Sequence, residues 1–142
     1  MNEFIVEGTP RSLQASSAGI KEWQATVKEA AVAAIRDEDR LDYVDVSARI
    51  LHFCFEWGHT SGDLDNIAKP ILDAIAGIAF FNDNQVTQLL LRRTDLQRHE
   101  VTMIEGATPL LAGRIEKAIE AREGRGFVYV AVDAHIDHRS VP

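Results

Sequence analysis

Cysteine is almost absent from this 142-residue chain, in which Cys54 is the only one. A lone cysteine excludes an internal disulfide and a zinc site built on several thiolates. Long apolar runs are also missing, since none approaches the roughly 20 residues that a transmembrane helix needs. The first eight residues, MNEFIVEG, are acidic where a signal peptide would be basic. These absences predict a cytoplasmic protein with no membrane partner.

Basic residues are scarce as well. The chain has 15 Lys and Arg against 22 Asp and Glu, for a formal net charge of −7. This balance argues against nonspecific nucleic-acid binding, which depends on basic side chains that neutralise phosphates. A total does not exclude a local basic groove, and a metal site concentrates negative charge that a bound ion then neutralises. The absence of GxGxxG, GxxxxGK[ST] and GxSxG motifs disfavours dinucleotide, P-loop and serine-hydrolase functions.

The length suits one hydrophobic core and is short for two ordinary domains. Apolar periodicity and turn residues predict an α+β fold, with a mixed β-sheet and two to three packed helices in a single small domain over residues 1–142. Residues 133–142 are predicted to be a loose tail. Strands are expected at 3–7, 41–57, 86–95 and 127–132, a short extra strand at 100–104, and helices at 19–37, from 63 onward, and at 109–123.

Residues 63–86, DLDNIAKPILDAIAGIAFFNDNQV, carry the strongest pattern. At roughly 100° per residue, one side of a helix is apolar and the opposite side is a charged stripe of Asp65, Lys69 and Asp73. Asp63 or Asp65 is expected to cap the helix N-terminus. Pro70 is expected either in the first turn or at a bend just past the carboxylates. The apolar positions are Ile67, Ile71, Ala74, Ile75 and Ile78.

Asp63, Asp65 and Asp83 would converge if both ends of this helix face one cleft. Clustered carboxylates repel one another unless a cation or an unusual pKa relieves them. Three on one wall therefore predict a site for a hard metal ion.

Arginines near this stretch are candidates for DNA phosphate contacts. Arg11 lies in a loop with Ser12, Ser16 and Ser17, and the favoured alternative is a surface loop whose serine caps the next helix. Arg92 and Arg93 lie on the strand predicted to follow the acidic turn, expected to be a second central strand. A solvated strand end is the favoured alternative for this pair.

The central stretch resembles the signature of the RusA family of Holliday-junction endodeoxyribonucleases, which reads D-x-D-N-x-x-K, then D-A-L, then an acidic turn ending in D-x-Q. The resemblance covers about one sixth of the chain, in the family's order. The matching residues are Asp63, Asp65, Asn66, Lys69, Asp73, Ala74, Asp83 and Gln85.

The resemblance implies a RusA-like fold and a Mg²⁺-dependent phosphodiesterase, with Mn²⁺ as the alternative ion, acting on branched or four-way DNA. Asp63, Asp65 and Asp83 carry over as the metal-binding carboxylates and Lys69 as the essential lysine. Asn66 would orient a carboxylate or a water. The family acts as homodimers that make paired nicks, so a homodimer is implied here.

The chain departs from the family where Asn82 precedes Asp83, in place of a second aspartate, and where the segment before Asp63 reads FEWGHTSG rather than basic. The first departure leaves the candidate catalytic residues intact. The missing basic segment and the acidic balance of the whole chain favour metal-dependent cleavage over junction specificity. The alternative function is a non-catalytic binding or regulatory module that keeps the fold. In that case the charged stripe is a solvated helix face and Asp65–Lys69 an exposed ion pair.

Overall fold

A mixed four-stranded sheet with three helices makes up the described part of the chain, which in this computed structural model comprises residues 2–55, 63–97, 106–121, 124 and 126–135. This confirms the predicted α+β domain. Within those ranges, none of the helices has the length and apolar content needed to cross a membrane. The elements are β1 (Asn2–Glu7), α1 (Ser17–Ala34), β2 (Val46–Cys54), α2 (Leu64–Ile75), β3 (Val86–Asp95), α3 (Pro109–Ala121) and β4 (Phe127–Ala134), with short 3₁₀ turns at Asp37–Asp39 and Asp83–Gln85.

The strand order is β1-β4-β2-β3. Strands β2 and β3 are parallel, whereas β4 runs antiparallel to both β1 and β2. A parallel pair needs a crossover, and α2 supplies it, so that its N-terminus lies toward the carboxyl end of β2 and its C-terminus leads back toward the start of β3. Within the described residues, β3 pairs with β2 alone and so lies at an edge of the sheet rather than in the central place that was predicted.

The two faces of the sheet bury separate hydrophobic clusters. On one face, Val46, Ala48 and Ile50 of β2 pack with apolar residues of α1 and α2. On the other face, Leu51 and Phe53 pack with Tyr129 of β4 and with α3. The residues that α1 buries in this face are Trp23, Val27 and Ala31, each one helical turn from the next.

Strand β2 starts at Val46 rather than at the predicted Leu41. The cause is Tyr43, whose φ of 61° interrupts the extended chain, while Leu41 forms only an isolated bridge with Phe80. At the other end of the chain, β4 continues to Ala134, and the His135 N–H donates to the Asp45 carbonyl at 2.8 Å. The predicted extra strand at 100–104 and residues 136–142 of the predicted tail lie outside the described residues.

Candidate active site

Helix α2 has the two-sided character that its sequence predicts. Asp65, Lys69 and Asp73 are exposed, whereas the opposite side is buried in the core. Burial of this apolar side stabilises the fold by about 1.5–3 kcal/mol for each large aliphatic side chain. The buried residues of the helix are Ile67, Ala68, Pro70, Ile71, Leu72, Ala74 and Ile75.

Pro70 lies inside α2, past its first turn. A proline has no N–H, so the carbonyl four residues earlier, that of Asn66, loses its helical donor. The Leu13 N–H donates to this carbonyl instead, at 3.1 Å. The Gln24 side chain also donates to the Pro70 carbonyl, at 3.1 Å. The irregularity therefore ties α2 to α1 and to the loop that carries Arg11.

Asp63 occupies the N-cap position of α2 as predicted, but its side chain makes no capping hydrogen bond. Its backbone carbonyl accepts from the Asn66 N–H at 3.0 Å, while the carboxylate stays exposed. In the part of the chain that the structure describes, neither Asp63 nor Asp65 is engaged by another side chain. The partial positive charge of the helix N-terminus favours carboxylates here. Both are thus left available to a cation.

Lys69 joins α2 to the acidic turn. Its Nζ donates to Asp73 Oδ1 at 2.8 Å and to Asp83 Oδ2 at 2.9 Å. The hydrogen bond to Asp73, and then the one to Asp83, raises the pKa of Lys69. The amine therefore stays charged. The exposed pair with Asp65 that the alternative function implied is not formed, because Lys69 reaches the two later aspartates.

The acidic turn is held by its own side chains. Asn82 caps the 3₁₀ turn by accepting from the Asn84 N–H at 2.9 Å, and Gln85 completes a capping box by accepting from the Asn82 N–H at 2.8 Å. Asparagine caps as well as aspartate does. The replacement of the family's aspartate by Asn82 therefore keeps the turn that positions Asp83. Gln85, which the sequence offered only as a motif match, is a structural residue of this turn.

The structure brings Lys69, Asp73 and Asp83 together. It does not bring Asp63, Asp65 and Asp83 into one cluster: across the described ranges, no group of three or more His, Cys, Asp or Glu side chains is placed to hold a metal ion. The donor chemistry nonetheless fits a hard cation. Mg²⁺ keeps several waters and takes only one or two carboxylates together with substrate phosphates, and two unengaged carboxylates lie at the start of α2. The metal-binding roles stay a prediction.

The serines beside Arg11 serve local structure. Ser16 Oγ caps α1 by accepting from the Gly19 N–H at 3.1 Å. Ser12 is buried, and its Oγ accepts from the Gln14 N–H at 3.2 Å. The favoured alternative is therefore confirmed for Ser16, whereas Ser12 holds the backbone of the loop. Arg11 remains exposed in this loop, and its role in DNA binding stays a prediction.

Arg92 and Arg93 project to opposite faces of the sheet. Arg93 pairs in register with His52 on the α2 face, and Arg92 pairs with Leu51 on the α3 face. The two therefore do not line one groove together, and their DNA contacts stay predictions. Arg93 Nε donates to His52 Nδ1 at 3.3 Å.

His52 was not predicted to be important. It is fully buried in β2, and this burial, followed by the charge of Arg93, lowers its pKa to about 4. A neutral imidazole is thus fixed as the acceptor for Arg93. The available signal was a polar residue inside the apolar run LHFCF.

A family model described as Endodeoxyribonuclease RusA matches residues 13–104. The match spans α1, β2, α2 and β3, and so every candidate catalytic residue. The chain therefore belongs to the RusA endodeoxyribonuclease family. No curated protein matches the chain.

Proposed function

From this membership, which implies a Holliday-junction endonuclease, we propose that the protein is a Mg²⁺-dependent endodeoxyribonuclease that cleaves branched DNA by phosphodiester hydrolysis. One observation carries the proposal. Lys69 of α2 bonds Asp73 of the same helix and Asp83 of the acidic turn, and the N-terminal end of this helix presents the unengaged carboxylates of Asp63 and Asp65.

Asp63, Asp65 and Asp83 would hold Mg²⁺, or Mn²⁺ in its place, and their carboxylates would have to draw together on binding, since they form no cluster among the described residues. Such an ion stabilises charge on the phosphoryl group and lowers the pKa of water. Asp63 supports this role because its carboxylate forgoes the capping bond that its position favours. Asp83 accepts from Lys69 through Oδ2, which leaves Oδ1 for a further partner.

Lys69 would neutralise charge on the scissile phosphate. An ammonium group has three N–H donors, and Asp73 and Asp83 take two of them. The third can point to a phosphate oxygen in an orientation that the two aspartates fix. A donor aimed in advance at developing charge accelerates reaction more than one that must reorganise. Asn66, whose carbonyl is already used by Leu13, would orient a neighbouring carboxylate or water through its side-chain amide.

The net charge of −7 limits how DNA is held. Arg11 and Arg93 would supply local attraction, with Arg92 on the other face. We expect modest affinity for junctions, falling steeply with salt. A homodimer, as the family implies, would place two such sites on one four-way junction and permit paired nicks.

A non-catalytic binding or regulatory module that keeps the fold is the second candidate. It is favoured by the lack of a three-carboxylate group among the residues that the structure describes. In such a module the Lys69–Asp83 ion pair would only fasten the acidic turn to α2. Fold membership alone does not decide between the two functions.

Cleavage assays separate them. Four-way, Y-shaped and linear DNA of matched sequence would be incubated with Mg²⁺, with Mn²⁺ and with a chelator. We expect metal-dependent nicking of the four-way junction that the chelator abolishes. Binding of the junction without nicking under either metal would establish the non-catalytic module instead.

A further inference from the structure

Two aromatic side chains stand exposed next to the candidate active site. Tyr43 is 100% exposed and Phe81 is 66% exposed, and Val44 beside Tyr43 is also exposed. Aromatic rings are normally at least half buried because their apolar surface is large. Among the described residues, neither ring has an aromatic partner.

The backbone holds Tyr43 outward at a cost. Its φ of 61° lies in the left-handed region, where it stands alone among the described non-glycine residues. Such a conformation in a bulky residue persists only when surrounding contacts enforce it. Here Arg40 makes a two-pronged ion pair with Asp42, at 2.9 and 3.2 Å, and the Leu41 N–H donates to the Ala79 carbonyl at 2.9 Å.

One side chain fixes both aromatic turns. Gln85 Nε2 donates to the carbonyls of Leu41 and Val44, each at 2.9 Å. Its Oε1 accepts from the Phe81 N–H at 2.8 Å. Asp83 lies within the same turn, two residues from Phe81, and is tied to Lys69. Both aromatic residues are thus tied through Gln85 to the turn whose Asp83 holds Lys69.

We propose that Tyr43 and Phe81 form a stacking platform for nucleobases that are exposed at the branch point of the DNA substrate. This inference rests on the proposed function and adds to it the feature of the substrate that is recognised. In continuous duplex the base faces are covered by stacking, whereas at a branch point or in a single strand they are free. The platform would therefore select branched over linear DNA.

The charge of the molecule supports bases rather than backbone as the occupant. The platform lies among acidic residues, of which Asp42 is neutralised by Arg40 and Asp83 by Lys69. Stacking on aromatic rings tolerates any sequence and does not depend on basic side chains. In a chain with a net charge of −7, stacking would thus provide DNA affinity that the few basic residues do not supply.

The test compares Tyr43→Gly and Phe81→Ala with the conservative variants Tyr43→Phe and Phe81→Tyr. Tyr43→Gly removes the ring while relieving the left-handed backbone, so a loss of binding with an unchanged or raised melting temperature is not misfolding. The probe is a four-way junction that carries 2-aminopurine at the branch point, with a linear duplex as control. Binding is measured by fluorescence in a chelator, and cleavage in Mg²⁺.

We expect each ring deletion to weaken junction binding roughly tenfold to a hundredfold, as the loss of one stacked base does, and to reduce the 2-aminopurine response. Duplex binding should stay unchanged, and the conservative variants should behave as wild type. Equal junction affinity and an equal fluorescence response in wild type and ring-deletion variants would overturn the platform. The platform would also be overturned if the ring-deletion variants bound junctions as wild type does but sedimented as monomers. In that case the rings would contact a second copy of the chain.

The two proposals fail separately. If the wild-type protein binds junctions through these rings but cleaves nothing, the platform stands and the nuclease function falls. If it cleaves junctions while the ring-deletion variants do so at the wild-type KM, the nuclease function stands and the platform falls.

Discussion

Two polar networks occupy different regions of the molecule, and each is built around a carboxylate that accepts hydrogen bonds. One links Lys69 to Asp73 and Asp83 on exposed surfaces of α2 and the acidic turn. The other lies between β1, α3 and β4. There Glu3 Oε2 accepts from Tyr129 Oη and from Thr108 Oγ1, each at 2.6 Å.

The difference lies in burial and in reach along the chain. Tyr129 is fully buried, and its bond to Glu3 joins positions 126 residues apart, which makes it a bond of the fold. The Lys69 side chain is 52% exposed, and losing an exposed ion pair costs a folded protein little. The first network also falls inside the region that matches the family model and the second lies outside it. We expect mutations in the first to change activity, and mutations in the second to change stability.

The largest effect is expected for Lys69→Met. Losing a preorganised positive charge at the phosphate should lower the single-turnover cleavage rate by about 10²–10³-fold. The melting temperature should hold, because the side chain is exposed. Junction affinity should fall much less than the rate. An effect on binding alone would remove Lys69 from the chemistry.

The next effect is a loss of stability at high pH. Burial, and then the hydrogen bond to Glu3, raises the pKa of Tyr129 to about 12, above its ordinary value near 10. The unfolded chain therefore loses this proton first. The stabilisation is complete below about pH 10 and falls by roughly 2–3 kcal/mol as the pH rises toward 12.

Urea unfolding from pH 8 to 12 measures this loss. Tyr129→Phe should lack this component of the decline, whereas the matched variant Tyr43→Phe, at an exposed ring, should keep it. If the free energy of unfolding fell equally with pH in wild type and in Tyr129→Phe, the pKa of Tyr129 would be the same in the folded and the unfolded chain, and the prediction would be wrong.

A smaller effect is expected for Glu7→Gln on β1. Glu7 accepts two hydrogen bonds from Arg114 of α3, at 2.7 and 2.8 Å, and the guanidinium of Arg114 lies over the Phe127 ring. Glu7 is largely exposed, so the loss should be about 1 kcal/mol or less. Cleavage should not change. A reduced cleavage rate at full stability would join the two networks in function.

The smallest effect is expected for Asp73→Asn. Lys69 keeps its bond to Asp83, and an exposed i,i+4 pair contributes only about 0.3–0.5 kcal/mol. The cleavage rate should change only a few-fold. A loss as large as that of Lys69→Met would identify Asp73 as a residue of the reaction.

Local sequence patterns predicted the elements that depend on local forces. The bounds of β3 were predicted at Val86 and Asp95, and the buried and exposed sides of α2 follow from its apolar period. Periodicity succeeds there because burial of one face decides which residues are apolar.

What the sequence did not predict depends on long-range contacts. The insertion of β4 between β1 and β2 is a pairing between distant segments. Lys69 bonds Asp83 fourteen residues away, and Gln85 bonds Leu41 across 44 residues. The missing cap at Asp63 breaks a strong local rule. Departures of that kind are expected at functional sites, where side chains serve a ligand instead of the fold.

The most direct test of the proposed active site is cleavage of a four-way junction in Mg²⁺ by the Asp63→Asn and Asp83→Asn proteins. The controls are wild type and Asp37→Asn, because Asp37 is an exposed aspartate in the 3₁₀ turn after α1. Each change removes one negative charge with little change of shape. We predict that wild type and Asp37→Asn cleave, that the other two do not, and that all four melt together. Cleavage at the wild-type rate by Asp63→Asn and Asp83→Asn would contradict the assignment.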